Sequence, residues 1–207
     1  APRTLEAINN RDCGWVFDAK PDDFKKVPGS PIAYWLSEDV RRTFTDFTNL
    51  SSISKSVVGQ NTGDNDTFLR RWFEVSQHRI DRECLSRENT YRTDVKWYPY
   101  NKGGSYRKWY GNAEFIINYE NDGEEIKAFH EILNKTSPGG RLKNQDCYFK
   151  AQVSWSKISS GDFSVRFFPE GFIFDVAGSA IFPKSFSETC SLSGVLNTPS
   201  ETKLNLL

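Results

Sequence analysis

The chain has 207 residues, and its 27 lysines and arginines balance its 27 aspartates and glutamates. A chain of this length buries roughly 70% of the surface that its unfolded form exposes, so a sizeable core needs no disulfide or metal to hold it. The lack of net charge argues against a free-standing nucleic-acid-binding domain, so any contact with DNA must come from local charge.

The four cysteines lie far apart, at positions 13, 84, 147 and 190. Without a C-x-x-C pair or a nearby histidine they predict neither structural zinc nor a disulfide framework, which favours a reducing cytoplasm. The sequence has no signal peptide and no apolar run near about 18 residues, so we expect a cytoplasmic protein without membrane contact. The absence of methionine indicates either a piece of a larger protein or a sequence from which modified methionines are missing.

For residues 1–50 we expect a helical or linker segment. A turn-rich stretch with three prolines precedes a predicted helix over residues 32–44, which Ser30 caps and Pro31 opens. The apolar residues of this helix recur at helical spacing and are predicted core residues: Tyr34 or Trp35, Leu36, Val40 and Phe44.

A main domain is predicted over residues 51–190, and it begins with a short strand that feeds a loop rich in Gly, Asn and Asp. A helix is expected next, with its apolar side inward, carrying Phe68, Leu69, Trp72, Phe73, Val75 and Ile80. A glycine loop before a helix can hold an anion, but Asp64 and Asp66 would repel a phosphate there. We therefore expect a structural turn that presents Thr62, Gly63 or Asn65 to a base edge or a sugar.

The basic-aromatic segment, residues 96–112, interleaves lysines and arginines with tryptophans and tyrosines. This composition suits nucleic acid, since each stacked base is worth about 1–3 kcal/mol and cations hold phosphates. The alternative is that Trp97, Tyr98 and Trp109 are strand or loop residues of an ordinary core and that the cations form its solvated rim.

The remaining pattern mixes strands and helices without regular alternation, which predicts an α+β fold with mixed or antiparallel sheets and flanking helices. We expect a strand at 115–119, then a helix at 122–133 with acids in its first turn. Strands are predicted at 152–158, 163–168 and 172–182, joined by hairpin turns at 159–162 and 169–171. Residues 191–207 are expected to form a separate, helical C-terminal segment.

No catalytic or metal-binding arrangement can be identified in the sequence. His78 and His130 are isolated, and there is no P-loop, G-x-G-x-x-G or H-E-x-x-H motif. Neighbouring carboxylates such as Glu124 and Glu125 are better interpreted as part of a helix start than as an acid-base pair. We therefore predict no catalytic, cofactor-binding or metal-binding residue in this chain.

Several long motifs stand out in the sequence: P-G-S-P-I-A-Y-W (28–35), G-Q-N-T-G-D-N-D-T-F (59–68), K-W-Y-P-Y-N-K-G-G-S-Y-R-K-W-Y-G-N (96–112), E-N-D-G (120–123), residues 155–161 and residues 171–182. Together they resemble the PglX-like adenine-specific DNA methyltransferases of bacteriophage-exclusion (BREX) systems. The T-G-x-N-x-x-F element, Thr62 to Phe68, is also similar to one in fused restriction-modification methyltransferases.

The resemblance implies a parent enzyme that transfers a methyl group from S-adenosylmethionine to the exocyclic amine of adenine in duplex DNA. The N-P-P-Y type of catalytic motif, whose aromatic ring stacks on a flipped adenine, is absent here, as is the glycine-rich loop for S-adenosylmethionine. The resemblance therefore implies that this chain is a C-terminal target-recognition portion, inactive by itself. Its expected partners are duplex DNA, the methyltransferase domain of the parent chain and other defence-system subunits.

Under this hypothesis the cations Lys102, Arg107, Lys108 and Lys157 contact phosphates or a guanine edge. Candidates for base or sugar contacts are Asn101, Asn112, Thr62, Asn65, Ser156 and Ser159, and Gly63 and Gly103 complete the predicted DNA-binding residues. An alternative function is a protein-protein interaction module, because Trp, Tyr and Arg are typical of interface hot spots. A third, weaker alternative is carbohydrate binding through Trp97, Tyr100 and Trp109, which the surrounding cations disfavour.

Overall fold

The structure is a computed structural model that describes residues 2–27, 29–92, 94–158 and 162–197, with the side chains of 186–190 left out. The predicted turn at 159–162 and the candidate Ser159 therefore lie largely outside the described residues. The chain divides into two compact units, of which the first ends at Ser52 and the second begins at Ile53.

The first unit consists of short helices joined by turns. They are α1 (Pro2–Asn9), α2 (Pro21–Lys25), α3 (Glu38–Asp46) and α4 (Leu50–Ile53), the last of which reaches the boundary. The predicted helix over 32–44 is wrong at its start, because α3 begins six residues later, at Glu38. Ser37 is its N-cap, with Oγ accepting a 3.3 Å hydrogen bond from the backbone N of Val40.

The aromatic residues of this stretch do not form a core. Tyr34, Trp35 and Phe44 are exposed, so their predicted burial is wrong, while Leu36 and Val40 are half-buried. Residues 31–36 form tight turns, with Ala33 N bonded to Pro31 O, and a turn does not keep the helical spacing that the prediction assumed.

The described residues of the second unit form eight strands in two sheets. In chain order the strands are β1 (Ser54–Val57), β2 (Leu69–Arg71), β3 (Trp97–Asn101), β4 (Phe115–Asn118), β5 (Gln152–Trp155), β6 (Val165–Phe168), β7 (Ile173–Phe174) and β8 (Ala180–Pro183). The first sheet has the order β1-β8-β5-β6 and is antiparallel, and the second has the order β2-β4-β3-β7, with β3 and β7 parallel. The predicted α+β class with mixed and antiparallel sheets is confirmed.

The α-helices in the described part of this unit are α5 (Asn65–Phe68), α6 (Glu120–Thr136) and α7 (Phe186–Asn197). Single 3-10 turns lie at Trp72–Glu74, Gln77–Arg79, Glu88–Thr90 and Gln145–Cys147. The predicted helix near 122–133 is confirmed by α6, and the strand at 115–119 is confirmed by β4. None of the helices in the described part of the chain is long and apolar enough to span a bilayer.

The helix predicted after Phe68 is wrong. The chain leaves α5 at Phe68 and enters β2, where Leu69 pairs with Ile117 of β4. Trp72 and Phe73 follow in a 3-10 turn and are exposed instead of inward. Pairing with a strand 48 residues away outweighs a helical apolar pattern here, because tertiary contacts override local propensity.

The turn at 169–171 is not a hairpin, contrary to the prediction. It carries the chain from β6 in the first sheet to β7 in the second. Gly171 has φ +94, and a Cβ there would lie 2.4 Å from the carbonyl oxygen of Arg82. Only glycine allows this close approach between two backbones.

The core of the second unit is built from aromatic rings of both sheets and the segments between them. Tyr98 and Tyr100, from the basic-aromatic segment, are fully buried with Tyr119, Phe149 and Phe174. Tyr98 and Phe149 meet edge to face at 5.6 Å between ring centroids. The alternative interpretation of the basic-aromatic segment, core with a solvated rim, thus holds for its first half.

Candidate nucleic-acid interface

The second half of the basic-aromatic segment forms a loop that crosses from one sheet to the other. This crossing loop, residues 102–114, leaves β3 and reaches β6 before it returns to β4. The backbone N of Trp109 donates to Val165 O at 3.1 Å, and Phe167 N donates to Trp109 O at 2.8 Å. Because β6 is an edge strand of the first sheet, these bonds occupy part of that edge and anchor the middle of the loop.

The anchored backbone adopts conformations that are unusual for large side chains. Trp109 has φ +71 while 51% of the residue remains exposed. A bulky residue in the left-handed region costs free energy and persists only where its surroundings fix it. Here the two bonds to β6 fix it, so the indole is presented to solvent on a rigid backbone.

The crossing loop turns most of its rings and its arginine outward. Tyr106, Arg107 and Tyr110 are exposed, Tyr110 at 77%, and Lys108 is half-buried. The described residues contain no carboxylate in a salt bridge with Arg107, Lys108 or the nearby exposed Lys157. The loop therefore combines accessible rings with cations whose charge is not neutralised by a neighbouring acid.

Beneath the crossing loop lies Arg166, which was not among the residues predicted from the sequence to belong to the site. The residue is fully buried, with Nη2 donating to Ser156 Oγ at 2.9 Å and Nη1 to Arg107 O at 3.4 Å. Ser156 Oγ in turn donates to Gly104 O at 2.6 Å. Arg166 and Ser156 thus hold the loop backbone, and the only sequence signal was a cation within an apolar strand.

The charge of Arg166 is poorly compensated. Its Nε has no hydrogen-bond partner in the part of the chain that is described. Burial lowers the pKa of the guanidinium, and the charge of Arg107 lowers this pKa further. The result is a local excess of positive charge under the crossing loop, which favours an anion at the loop surface.

A second group of candidates lies at the start of the crossing loop. Lys102 Nζ is 2.7 Å from Asp175 Oδ2 and 3.0 Å from Asn65 Oδ1, and Thr62 Oγ1 donates to Asn65 Oδ1 at 2.6 Å. Tyr100 also donates to Asp175 Oδ2, at 2.7 Å. Burial and the charge of Asp175 hold the pKa of Tyr100 well above its ordinary value. Because Asp175 and Asn65 already bind its ammonium group, Lys102 is paired inside the protein.

Three amide and hydroxyl candidates have side chains that point inward. Asn101 is fully buried, donating to Ser154 Oγ at 2.7 Å and accepting from Gly103 N at 3.1 Å. Asn112 is buried and donates to Ser105 O at 2.8 Å, and Thr62 is buried as well. The polar atoms of Asn101, Asn112 and Thr62 thus bond within the protein, and their contact with a base or sugar stays a prediction that would require these bonds to be exchanged.

The two candidate glycines shape the turns around these side chains. Gly103 has φ +74, and a Cβ there would lie 2.4 Å from Ala177 O. Gly63 has φ +76, and its Cβ would lie 3.1 Å from Leu133 Cδ2. A larger residue at Gly103 would displace the crossing loop from the backbone of Ala177, whereas one at Gly63 would be strained by its left-handed φ.

The structure thus brings most of the candidate residues into one hydrogen-bonded region, in which they differ in solvent exposure. Asn65, Arg107 and Lys157 face solvent, whereas Lys102, Lys108 and Ser156 are half-buried. Lys157 is tied to the same region, because its backbone N donates to Ala177 O at 2.9 Å. The exposed rings of Tyr106, Trp109 and Tyr110 belong to the surface, although they were not among the predicted contact residues.

Comparison with known proteins shows that the chain is similar to segments of adenine-specific methyltransferases. It is 37% identical over 204 residues, which cover 96% of it, to the adenine-specific methyltransferase PglX of Lacticaseibacillus casei strain Zhang. It is 44% identical over 168 residues, 81% of it, to the adenine-specific methyltransferase BrxX of Escherichia coli O9:H4 strain HS. The chain spans 16% of the length of the first relative and 12% of the second. No protein-family model matches the chain.

Proposed function

We propose that this chain, a homologue of one segment of the PglX and BrxX adenine-specific methyltransferases, is the DNA target-recognition portion of such an enzyme. In this proposal a catalytic domain elsewhere in the parent protein transfers the methyl group of S-adenosylmethionine to adenine in duplex DNA. The parent acts in the cytoplasm in defence against phage, and this segment, from the C-terminal region, selects the site without catalysing the transfer.

The observation that supports DNA contact is the crossing loop with its unpaired cations. Arg107, Lys108 and Lys157 lack an acidic partner among the described residues, in contrast to Lys96 and Lys102, which pair with Glu125 and Asp175. Cations that are free of internal partners can neutralise phosphates and release counterions. Buried Arg166 adds positive charge below them without contacting the ligand itself.

The exposed rings extend this role from phosphates to bases. An arginine such as Arg107 can bond a guanine edge bidentately, which discriminates against the wrong base by about 1–3 kcal/mol. Trp109 or Tyr110 can stack on a base that leaves the helix or insert at a distorted step. The loop would thus hold the duplex where a neighbouring domain extrudes an adenine.

The proposal is tested by fluorescence anisotropy with a 30-base-pair duplex at 50 and 200 mM salt. If the three unpaired cations each neutralise one phosphate, affinity should fall roughly 40-fold between these concentrations. The double variant Arg107→Ala and Lys108→Ala should bind more weakly and lose only roughly four-fold over the same range. Binding that is flat with salt would contradict the proposal.

A matched control removes the same charge elsewhere in the second unit. Lys135 and Lys143 are exposed and lie away from the crossing loop in sequence. The variant Lys135→Ala and Lys143→Ala should keep the salt dependence of the unaltered chain. An equal loss of DNA affinity in the two double variants would indicate attraction by overall charge. It would contradict a specific role of the crossing loop in DNA binding.

One observation favours a second function, a surface for another protein of the defence system. Exposed tryptophan, tyrosine and arginine side chains are typical of protein-protein hot spots, and the crossing loop presents all three. Under this alternative, Arg107→Ala with Lys108→Ala leaves DNA binding unchanged but weakens capture of a defence-system subunit.

A further inference from the structure

The first unit has almost no core of its own. Of the described residues between 2 and 52, those that are buried are Val27, Ala33 and Arg41. A segment of about 50 residues is near the limit at which a chain can stabilise itself even with a good core. Its helices therefore need an apolar surface supplied from elsewhere.

The side chains that a core would use lie on the outside of this unit. The large apolar residues exposed here are Leu5, Ile8, Trp15, Phe17, Ile32, Tyr34, Trp35, Phe44, Phe47 and Leu50. Three of them form a ring cluster, since Tyr34 lies 5.3 Å from Phe17 and 5.0 Å from Trp35 between ring centroids. Contiguous exposed apolar groups of this kind mark an interaction surface.

The largest buried side chain described in the unit is charged and links its helices. Arg41 is buried, donates to Leu36 O at 2.7 Å, and lies 3.5 Å from Asp23 and 3.4 Å from Glu38. These bonds link α2, α3 and the turn before α3. A unit that buries an arginine and two small apolar residues while its aromatic rings stay exposed suits a segment that is covered by a protein surface.

The charge of the unit argues against nucleic acid as the occupant. Residues 1–52 contain seven cations and eight acids, a formal charge of 7 − 8 = −1. Polyphosphate binding requires an excess of cations, so apolar contact with protein is the better match.

The length of the relatives indicates which protein supplies the surface. The PglX alignment covers 96% of this chain, so the first unit belongs to the same continuous polypeptide as the second in that relative. The chain spans 16% of that protein, which leaves most of the polypeptide available as a neighbour. We propose that residues 2–52 dock, through the ring cluster of Phe17, Tyr34 and Trp35, onto an apolar surface in the remainder of the parent polypeptide. This inference does not depend on DNA binding.

Hydrogen exchange measured by mass spectrometry tests the docking in the full-length parent protein and in the 207-residue chain. Amides of α3 should exchange about ten-fold or more slowly in the full-length protein, because docking suppresses local opening. The double variant Tyr34→Ser and Trp35→Ser in the full-length protein should abolish this extra protection. Exchange in α6 serves as an internal reference for correct folding of the second unit.

The chain offers a closely matched control pair. Trp72 and Phe73 are exposed by 44% and 61%, against 46% and 61% for Tyr34 and Trp35, and both pairs meet edge to face. Trp72→Ser with Phe73→Ser should therefore leave the protection of α3 unchanged.

Three outcomes would overturn the docking proposal. The first is equal exchange of α3 in the two proteins, and the second is loss of protection by both variant pairs alike. The third is protection in the 207-residue chain that rises with its concentration, since the occupant would then be a second copy. The proposal is supported if α3 exchanges slowly in the full-length protein and if only the Tyr34→Ser and Trp35→Ser variant loses this protection.

Discussion

The two units of the chain differ in where their aromatic side chains lie. In the second unit Tyr98, Tyr119 and Phe149 are fully buried, whereas in the first unit Trp35 and Phe47 are mostly exposed. The second unit closes two sheets by pairing distant strands, as in Tyr100 with Ile173 of β7. The described residues of the first unit form short helices and turns, with no strand among them. Burial in this protein thus follows from long-range pairing and not from aromatic content.

The sharpest test of this difference compares one ring from each unit. Phe149→Ala should destabilise the chain by about 3–5 kcal/mol, because it leaves a cavity between Tyr98 and Tyr119. Trp35→Ala should change stability by less than about 0.5 kcal/mol, as for other exposed sites. Urea unfolding followed by circular dichroism measures both. Similar losses in the two variants would show that the first unit has a core of its own.

The second prediction concerns the ion pairs at the start of α6. Asp122 is buried and bonded by Arg87 Nε at 2.6 Å and by Lys127 Nζ. Removal of its charge in Asp122→Asn leaves two cations without an acidic partner, and because both are about one third exposed, solvent screening limits the expected cost to about 1–2 kcal/mol at pH 7. Asp162→Asn, at an exposed acid, provides the control and should be nearly neutral.

The ion pairs of Asp122 with Arg87 and Lys127 should also make the stability of the second unit sensitive to acid. Burial raises the pKa of Asp122, but hydrogen bonds from Arg87 and Lys127 outweigh it and leave the pKa below its ordinary value of 3.8. Stabilisation is therefore complete above pH 3.8 and is lost as the pH falls through the lowered pKa. Unfolding measured at pH 7 and near pH 3 should show a smaller decrease in Asp122→Asn than in the unaltered chain.

Much of the second unit could be predicted because its signals are local. Alternating apolar residues predict the strand β4. Acidic residues in the first turn of α6 predict that helix. The helix expected after Phe68 failed because residues 69–71 gain more from pairing with β4 than from helical spacing, and no local pattern reports that partner. In the first unit the spacing of Tyr34 and Phe44 predicted burial, which requires a surface that this unit does not contain.

The candidate surface could be predicted only in part for the same reason. The density of cations and rings identified Arg107, Lys108 and Lys157 as well as the buried Asn101 and Asn112. An asparagine that closes a turn and one that contacts a base have the same local sequence signature, and only long-range contacts separate them. Arg166 was missed because its role depends on a loop that begins more than 50 residues earlier.

The third prediction asks whether an exposed ring has the same role in both units. Trp109→Ala should weaken binding of a duplex with an unpaired base about 5- to 150-fold, the range expected for one stacked base. Stability should change little, since the indole is half exposed. Trp35→Ala should leave DNA affinity unchanged in the same anisotropy assay. Equal losses in the two variants would mean that the rings act through general hydrophobicity.

The smallest expected effect comes from His130, which links α6 to the loop at Thr62. His130 Nε2 lies 2.8 Å from Thr62 O and so carries the hydrogen, whereas buried Nδ1 has no partner among the described residues. Burial lowers the pKa of His130, and this effect outweighs the bond to Thr62, which raises the pKa. A second proton, on Nδ1, would have no acceptor among the described residues. The unfolded chain therefore binds this proton first, and stability should fall as the pH drops below 6.5. The decrease between pH 7.5 and 5.5 should be below about 1 kcal/mol, absent in His130→Gln and retained in His78→Gln. A pH profile that His130→Gln leaves unchanged would show that folding does not lower the pKa of His130, and it would contradict this prediction.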